Sequence, residues 1–453
     1  MSNLPPSPSL SPFRQLVKWI LDPVQFMEQE AAMWGDTFTL VLSRNRPLVF
    51  THNPADIQRI FQNDAAFGLG KSNDLLRPLV GDFSLLLMEG QRHRRERKLL
   101  MPPFHGERMK SYGDLILAVA RQGLQSVPQH QTVTMRSLMQ SIALEVMMSV
   151  VFGVQDQARS QQIKPLLIEM LAIGASPLKS SAIFLQFLQR DLGVWSPWGK
   201  FLRSRQTLYD LLQVEIEAGR HNVDPERMDI LALMLAIRDE AGNPMSDAEI
   251  KDELVTLLFA GHETSATILA WGSFWLAKRP EMGDRIRQEI RALGDDPDPT
   301  AITRLPYLSA FCNEVLRMYP VVPITFPRRT LEELAIADYT LPPDTAFAPC
   351  IYLLHRRSDL YPNPHEFQPE RFRDRTYGPH EYIPFGGGER RCLGYALALY
   401  EIKLILALLV TDHQLTLTER NPPRIARRGL TLAPHNGVPM QLSDRPAPVL
   451  QPV

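Results

Sequence analysis

The sequence predicts a large, mainly α-helical protein with a small β-rich region near its N-terminus. Three observations lead to this fold class. Helix-compatible patterns cover most of the chain, at roughly 107–127, 135–153, 160–172, 199–219, 247–279 and 393–410. Strand-like alternation is confined to residues 37–60. Proline-rich meanders, which interrupt helices, fill residues 320–327, 341–349 and 361–370.

The first twelve residues differ in composition from the rest of the chain. Residues 1–12 are rich in proline and serine and are predicted to form a flexible tail, whereas residues 13–453 are predicted to form one domain. Length alone would suggest about three domains, but no linker-like change in composition and no repeat divides the chain. The tail lacks the layout of a signal peptide, and no run of about 18 apolar residues is present, so no transmembrane segment is expected.

The composition is that of an ordinary globular protein. Of the 453 residues, 44% are hydrophobic and 22% are charged, and the formal net charge is -1. A net charge near zero argues against nucleic-acid binding through a broad basic surface. The three cysteines, Cys312, Cys350 and Cys392, are odd in number and widely spaced. This usage is typical of a reducing compartment, so we expect a cytoplasmic protein.

The most informative stretch is a glycine loop that leads into a cysteine, Phe385-Gly386-Gly387-Gly388-Glu389-Arg390-Arg391-Cys392-Leu393-Gly394. A helical pattern follows, which places Cys392 at a helix N-terminus, where unpaired N–H groups and the helix dipole lower a thiol pKa. Gly386 and Gly394 permit close approach of a flat ligand. Phe385 can pack beside that ligand, and Arg390 can pair with a carboxylate on it. The alternative is a buried core cysteine behind an ordinary loop.

A second motif lies in the middle of the longest predicted helix. That helix starts at a capping box, Ser246-Asp-Ala-Glu249, and continues to Arg279. Its interior run is Ala260-Gly261-His262-Glu263-Thr264, in which the glycine costs about 1 kcal/mol relative to alanine. Two interpretations remain open. Ala260 and Gly261 provide close helix packing, or the hydroxyl of Thr264 beside the carboxylate of Glu263 relays protons. His262 is assigned a structural role.

A third pattern pairs opposite charges on one helix face. Glu314 and Arg317 stand at i and i+3 in a helix predicted to begin near Pro306 and to end before Pro320. As an exposed pair they would contribute only a few tenths of a kcal/mol. Apolar neighbours indicate that the pair is partly buried instead. Arg371 follows downstream in the run Pro369-Glu370-Arg371-Phe372.

A basic run, Arg92-His93-Arg94-Arg95-Glu96-Arg97-Lys98, forms the fourth pattern. A solvated basic helix is the ordinary interpretation for most of it. His93 and Arg97 are four residues apart and share one helix face. Arg328 and Arg329 are further cations that could bind an anionic ligand, and the sequence favours Arg328 without excluding Arg329.

Together these motifs resemble the cytochrome P450 family of haem-thiolate monooxygenases. The spacing Phe385-x-x-Gly388-x-Arg390-x-Cys392-x-Gly394 matches the family's haem-binding signature at every fixed position. The resemblance implies the cytochrome P450 fold, a single catalytic domain over residues 13–453, and haem b (iron protoporphyrin IX) as cofactor. Cys392 is implied to be the axial ligand of the iron, and its electron donation favours O–O cleavage.

The other motifs acquire roles through the same resemblance. Ala260 and Gly261 are expected at the distal face of the haem. Thr264 is implied to hold dioxygen and a water by hydrogen bonding, and Glu263 to belong to the proton path. The remaining implied roles fall into two groups. Contacts to the haem propionates are expected from His93, Arg97, Arg328 and Arg390, and a buried structural network is expected from Glu314, Arg317 and Arg371.

The resemblance also implies a function. We expect a monomeric enzyme that inserts one oxygen atom of O2 into an apolar substrate, such as a fatty acid, a terpenoid or a steroid-like molecule, and so forms an alcohol or epoxide. No G-x-G-x-x-G run and no iron–sulfur cysteine cluster is present, so electrons from NAD(P)H are expected through a separate ferredoxin or flavodoxin with its reductase. The expected docking patch consists of Arg94, Arg95, Lys98 and Arg391.

Alternative functions remain open at this point. A peroxide-using or isomerising haem-thiolate enzyme would share the cysteine loop, and so would a haem-based sensor without turnover. A helical protein without haem is the remaining alternative. Substrate contacts are expected from the apolar segments 67–88, 167–187, 257–267, 321–326 and 433–438.

Overall fold

The computed structural model describes residues 4–43, 46–69, 73–104, 106–153, 157–171, 189–193, 195–221, 227, 229–239 and 241–445. Helices dominate, which confirms the predicted fold class. Their bounds are α1 Pro12–Leu21, α2 Pro23–Trp34, α3 Pro54–Gln62, α4 Arg77–Val80, α5 Gly90–Leu100, α6 Glu107–Gln125, α7 Met135–Phe152, α8 Gln157–Leu171, α9 Pro197–His221, α10 Ile230–Ala236, α11 Asp247–Lys278, α12 Pro280–Arg291, α13 Pro299–Thr303, α14 Pro306–Met318, α15 Ile351–Leu354, α16 Arg371–Asp374 and α17 Tyr395–Asp412.

Local signals explain where the long helices begin and end. The predicted capping box of α11 is present, with the Ser246 hydroxyl accepting from the Glu249 N–H and the Glu249 carboxylate accepting from the Ser246 N–H. The helix ends at Lys278, two residues before Pro280. Helix α7 ends at Gly153, whose φ of +72° favours glycine. Helix α17 begins two residues later than predicted because Gly394 is its N-cap.

Short strands form several small sheets. Their bounds are β1 Thr37–Ser43, β2 Arg46–Thr51, β3 Phe67–Gly68, β4 Thr132–Thr134, β5 Arg328–Thr330, β6 Leu334–Ile336, β7 Tyr339–Leu341, β8 Ala346–Pro349, β9 His413–Leu417, β10 Ile425–Arg428, β11 Thr431–Pro434 and β12 Pro439–Asp444. One five-stranded sheet has the order β1-β2-β8-β5-β3. In it β2 pairs with β8 in parallel, and β1 pairs with β2 antiparallel.

The β structure extends beyond the region that the sequence predicts. Residues 37–60 supply only β1 and β2, whereas β5 to β12 lie between Arg328 and Asp444. These later strands have three to six residues each. Some pair with distant partners, as in the antiparallel pairing of β12 with β4, whereas β6 pairs with β7 and β10 with β11. Strands of this length carry too few alternating positions to be recognised without their partners.

The proline-rich N-terminal segment contacts the five-stranded sheet. The Thr39 N–H donates to the carbonyl oxygen of Pro6 at 2.7 Å, and the Thr39 hydroxyl donates to that of Pro5 at 2.8 Å. Pro5 is buried, and helix α1 begins at Pro12 with Ser11 as its cap. The segment predicted as a flexible tail is therefore held against β1 at these two prolines, because their carbonyl groups find donors there.

Helix α11 passes through the core between α7 and α17. Two glycines allow these close approaches. A Cβ at Gly261 would lie 2.6 Å from the Met147 sulfur of α7, and one at Gly272 would lie 2.9 Å from Leu406 of α17. Most of α17 is apolar and buried, as expected of a helix enclosed by others. This arrangement joins the two helices that carry the candidate chemistry.

One described helix passes a length and composition test for crossing a membrane. It is α7, Met135–Phe152, with 67% of the tested window buried inside the protein. A helix covered by α11 and α6 in this way has the environment of a core helix in a globular protein.

Candidate active site

The glycine loop holds Cys392 close to the start of α17. Gly386 and Gly388 have φ values of +68° and +65°, which favour glycine, and the Cys392 N–H donates to the Phe385 carbonyl at 3.0 Å. A Cβ at Gly386 or Gly394 would meet no atom closer than 3.9 Å or 4.0 Å respectively. These two glycines therefore present open backbone surface beside the cysteine, as a flat ligand requires.

Burial and the neighbouring groups shift the pKa of the Cys392 thiol in opposite directions. Burial raises the pKa of its thiol, while the Gly394 N–H, Arg97 and Arg391 lower it. The net direction is upward, so the expectation of a lowered thiol pKa from the helix N-terminus is wrong for the chain alone, because desolvation outweighs the donors. The side chain is nevertheless exposed.

Cationic side chains converge on His93, which is buried at 2% exposure. Burial, followed by Arg390, Arg97, Arg94 and Arg328, lowers the pKa of His93 to about 3. The imidazole is therefore neutral near pH 7 and can donate one N–H. Several guanidinium groups gathered in a partly buried place need anionic partners.

The structure distinguishes Arg328 from Arg329. Arg328 is 3% exposed, donates to the Gly387 carbonyl of the cysteine loop at 2.9 Å, and pairs with Asp64. Arg329 instead pairs with the exposed carboxylate of Asp344 at 2.6 Å. Only Arg328 belongs to the cationic group around His93. Asp64 was not predicted, because its proximity to the loop arises from the packing of α3 against residues 388–390.

Arg390 has partners other than a ligand. Its guanidinium donates to the carbonyl oxygen of Met88 at 2.6 Å and to that of Leu85 at 3.5 Å. The loop before α5 is thus tied to the cysteine loop. The same loop is tied to α11, since the Phe83 and Leu85 N–H groups donate to the carboxylates of Asp252 and Glu253 at 2.9 Å and 2.6 Å.

Helix α11 places the predicted oxygen-side residues on adjacent turns. The Thr264 hydroxyl donates to the Ala260 carbonyl at 2.6 Å, and Ala260 is exposed although its helix is largely buried. Gly261 packs on α7, so the packing interpretation accounts for its presence. His262 is fully buried, and its Nδ1 lies 2.7 Å from the Leu258 carbonyl.

Glu263 has a partner that the sequence did not indicate. Arg136, at the N-terminus of α7, forms an ion pair with the Glu263 carboxylate at 2.5 Å, and the Arg136 side chain is 5% exposed. Burial lowers the pKa of Arg136, and Glu263 opposes that shift. Nothing in the run 132–138 marks Arg136 as a site residue, since the packing of α7 against α11 brings it to Glu263.

Glu314, Arg317 and Arg371 form one buried network. Arg317 donates to both carboxylate oxygens of Glu314 at 2.7 Å and 2.9 Å, and Arg371 donates to Glu314 at 3.1 Å. The side chains of Glu314 and Arg317 are 0% exposed. Arg317 also donates to the carbonyl groups of His355 and Pro364, each at 2.8 Å. The alternative of an exposed pair is therefore excluded.

The predicted docking patch is less positive than its sequence suggests. Arg94 pairs with Glu389 and Arg95 pairs with Asp239, each at 3.1 Å. The Arg391 guanidinium lies over the ring of Tyr395 at 4.0 Å. Acidic neighbours thus compensate two of the four predicted cations.

The predicted substrate segments are only partly described. Residues 172–187 of the segment 167–187 lie outside the described residues. The segments 321–326 and 433–438 belong to one region, because the Leu432 N–H of β11 donates to the Val321 carbonyl at 2.7 Å.

The donor set fits haem. An exposed sulfur lies beside two glycines with open backbone surface, and a neutral imidazole with Arg97 and Arg328 supplies donors for two carboxylates. The two carboxylates of haem, its propionates, would neutralise the positive charge that Asp64 leaves uncompensated.

Comparisons with known proteins identify the same family as the motifs of this site. The sequence profile of the family described as Cytochrome P450 matches residues 5–439. A relative from Mycobacterium tuberculosis (strain ATCC 25618 / H37Rv), "Putative cytochrome P450 135B1", is 31% identical over 438 residues, covering 96% of this chain and 90% of that protein. "Putative cytochrome P450 135A1" of the same strain is 31% identical over 447 residues, covering 97% and 95%.

Solved structures share the fold. "Retinoic acid bound cyanobacterial CYP120A1" superposes with a TM-score of 0.85 at 24% identity, covering 98% of this chain and 99% of that one. "Crystal structure of cytochrome P450DA heme domain" gives a TM-score of 0.84 at 22% identity, covering 97% of both chains. With the profile match across nearly the whole sequence, these likenesses show that the chain belongs to the cytochrome P450 family, the haem-binding monooxygenases.

Proposed function

We propose that the protein hydroxylates or epoxidises an apolar small molecule, with electrons from NAD(P)H delivered by a separate ferredoxin or flavodoxin system. The observation that carries the proposal is the pair Glu263 and Thr264 on α11, in a chain that also holds an exposed Cys392 thiol. A sensor without turnover needs the cysteine but has no need of a carboxylate beside a hydroxyl.

Each group in the site has a distinct task. Haem, when bound, would supply the oxygen-activating chemistry, and the sulfur of Cys392 would hold its iron. His93, Arg97 and Arg328 would bind and orient its carboxylates. The hydroxyl of Thr264 now donates to the Ala260 carbonyl, and its lone pairs remain available for a proton donor. Glu263 can exchange protons with solvent because its side chain is 17% exposed.

Arg136 fixes the position of the Glu263 carboxylate. The ion pair holds the Glu263 carboxylate on the α7 side of α11. Delivery of a proton towards Thr264 requires that Glu263 leave Arg136 or that a water bridge the two residues. Proton supply therefore depends on a residue of α7 as well as on the motif in α11.

The substrate class follows from apolar composition. Leu257, Phe259, Val321 and Leu430 border the core near the α11 motif and β11, and they favour a ligand held by shape. Fatty acids, terpenoids and steroid-like molecules have this character. Titration of the haem-loaded protein with a panel of such compounds tests the class, because a ligand that displaces a water from the distal site changes the absorption spectrum.

Replacing Thr264 should uncouple electron use from product formation. In Thr264→Val we expect the amount of product per NAD(P)H consumed to fall about tenfold or more, because a proton-transfer group contributes factors of this size. Product and cofactor oxidation are measured in the same reaction.

A matched control exists one turn along the same helix. The Thr267 hydroxyl donates to the Glu263 carbonyl at 3.0 Å, and Thr267→Val removes the same chemical group. It should leave coupling nearly unchanged. Full coupling in Thr264→Val would show that the oxygen-side assignment is wrong, and turnover with hydrogen peroxide alone would favour the peroxide-using alternative.

Charge changes at the expected docking patch should act in opposite directions. Arg95→Glu should slow reduction by an acidic [2Fe–2S] ferredoxin, whereas Asp239→Asn, which removes the acid paired with Arg95, should accelerate it. Both effects should shrink as salt rises, since the screening length is about 10 Å at 0.1 M ionic strength. Stopped-flow reduction rates at several salt concentrations provide the measurement. Identical salt dependence in all three proteins would remove Arg95 from the docking surface.

A further inference from the structure

The loop between α4 and α5, residues 81–89, is irregular and yet largely enclosed by other elements. It contains turns but no helix or strand, and Ser84, Leu85 and Met88 are buried. A buried loop must find partners for its N–H and carbonyl groups outside a helix or a strand. The residues that supply these partners therefore determine the conformation of the 81–89 loop.

Two neighbouring acids of α11 hold the N–H groups of this loop. The Phe83 N–H donates to Oδ2 of Asp252 at 2.9 Å, and the Leu85 N–H donates to Oε1 of Glu253 at 2.6 Å. The two acids are 4% and 2% exposed. Neither forms an ion pair within the described residues, so their partners are neutral donors. Burying two acids without a cation costs stability, which indicates that the contacts to the loop serve a purpose.

The second oxygen of Asp252 contacts another helix. The Tyr209 hydroxyl of α9 donates to Oδ1 of Asp252 at 2.5 Å. Gly81 makes room for this carboxyl group, because a Cβ at Gly81 would collide with it, and the φ of +82° also favours glycine. Asp252 thus lies between α9 and the loop and fixes both relative to α11.

The carbonyl groups of the loop are held from the opposite direction. Arg390 of the cysteine loop donates to the carbonyl oxygens of Leu85 and Met88, and the Asn73 side-chain amide donates to that of Leu86 at 2.9 Å. The 81–89 loop therefore spans the distance between α11 and the cysteine loop, and side chains from both fix its backbone.

The loop also belongs to a segment from which substrate contacts are expected. Asp252 and Glu253 precede Ala260, which is exposed, by about two turns of α11. Leu86 and Leu87 of the loop are half-buried and apolar. A displacement of the loop would therefore change apolar surface close to the oxygen-side motif.

We propose that Asp252 and Glu253 are positioning residues, which hold the 81–89 loop as a wall of the substrate site and so determine which apolar molecules fit. The inference rests on the proposed function, because it assumes that the site takes an apolar substrate. Neither acid has to contact that substrate. A wall that is fixed before binding raises the affinity for a ligand that touches it, because no loop has to be ordered on binding.

Five variants of the haem-loaded protein test the proposal. Asp252→Leu and Glu253→Leu remove the acceptors, whereas Asp252→Asn and Glu253→Gln keep one acceptor oxygen for each loop N–H. Asp247→Leu is the matched control. Asp247 also lies on α11, but it accepts from Gln213 and Arg220 of α9, at 2.8 Å and 2.5 Å, rather than from the loop.

Hydrogen–deuterium exchange measures the order of the loop directly. Peptides that cover residues 81–89 should exchange at least about tenfold faster in the two leucine variants, because the Phe83 and Leu85 amides lose their acceptors. The other three variants should match wild type in these peptides. Glu253→Asp, which keeps the acid but shortens it, should act in the same direction and replaces a leucine variant that does not fold. Exchange at the wild-type rate would overturn the proposal.

Two ligands of different size measure the effect on the site. Imidazole and 4-phenylimidazole both bind haem iron through nitrogen, and only the second carries an apolar ring that has to fit against a wall. In the leucine variants the affinity for 4-phenylimidazole should fall at least about fivefold while that for imidazole stays nearly constant. Absorption titrations give both dissociation constants. Equal changes for the two ligands, or none, would overturn the proposal.

The outcomes separate this inference from the proposed function, since neither readout requires turnover. If wild type oxidises an apolar compound but the leucine variants bind both ligands as wild type does, only the positioning role fails. If wild type forms no product from any substrate while loop exchange and 4-phenylimidazole affinity change as expected, the proposed function fails and the positioning role stands.

Discussion

Replacing Cys392 with alanine is expected to abolish the red-shifted Soret band of the reduced, CO-treated protein, together with all oxygenation. The reason is that this cysteine is the exposed thiol beside the open glycines, and a thiolate ligand is what gives a haem that spectrum and its capacity for O–O cleavage. Absorption difference spectra of haem-supplied protein provide the measurement. A folded wild type without the band would contradict the assignment of the whole site.

The other two cysteines are natural controls. Cys312 and Cys350 are both fully buried, and burial raises the pKa of each thiol to about 12, so they remain protonated. Cys312→Ala and Cys350→Ala should retain the band at full intensity per haem. Loss of the band in either variant without unfolding would mean that the axial ligand was misassigned.

Replacing Glu314 with glutamine is expected to destabilise the protein more than most single changes do. The substitution leaves Arg317 and Arg371 buried without their carboxylate, and breaking a buried ion pair costs about 3–5 kcal/mol. Since folded proteins are stable by only about 5–15 kcal/mol, little folded, haem-loaded protein should remain at 37 °C. Denaturant unfolding and the haem content of purified protein measure this.

An exposed ion pair nearby serves as a control that separates the effect of burial on stability from the effect of charge. Arg285 and Glu370 form an ion pair with side chains 42% and 45% exposed, and Glu370 directly precedes Arg371. Glu370→Gln should cost less than about 1 kcal/mol, because water screens exposed pairs. Equal losses in Glu314→Gln and Glu370→Gln would mean that the network around Glu314 does not support the core.

The sequence predicted the long helices well because their signals are local. The capping box at Ser246 and the stop at Pro280 set the ends of α11 to within one residue. Strands β5 to β12 were missed, since each has six residues or fewer, which leaves too few alternating positions for a strand pattern. The N-terminal tail was predicted from composition alone, and composition cannot show that Thr39 donates hydrogen bonds to Pro5 and Pro6.

Long-range contacts decided the electrostatics of the site. Arg136 reaches Glu263 from α7, Asp64 reaches Arg328 from the residues after α3, and Ser265 reaches Glu401 from a neighbouring helix. Each pair is more than a hundred residues apart in sequence. The thiol pKa of Cys392 shows the same limit, because the helix N-terminus is a local feature whereas the desolvation that opposes it depends on the whole fold.

By itself the sequence identified the family, because the residues from Phe385 to Gly394 are contiguous and their spacing can be recognised without the fold. Only the tertiary structure decided that Arg328 rather than Arg329 joins the cationic group, and that Glu314, Arg317 and Arg371 are buried together. It also showed that an acid of α17, Glu401, contacts Ser265 of α11. The physical reason is that burial and charge pairing depend on how distant segments pack together, and a local sequence pattern carries no information on that packing.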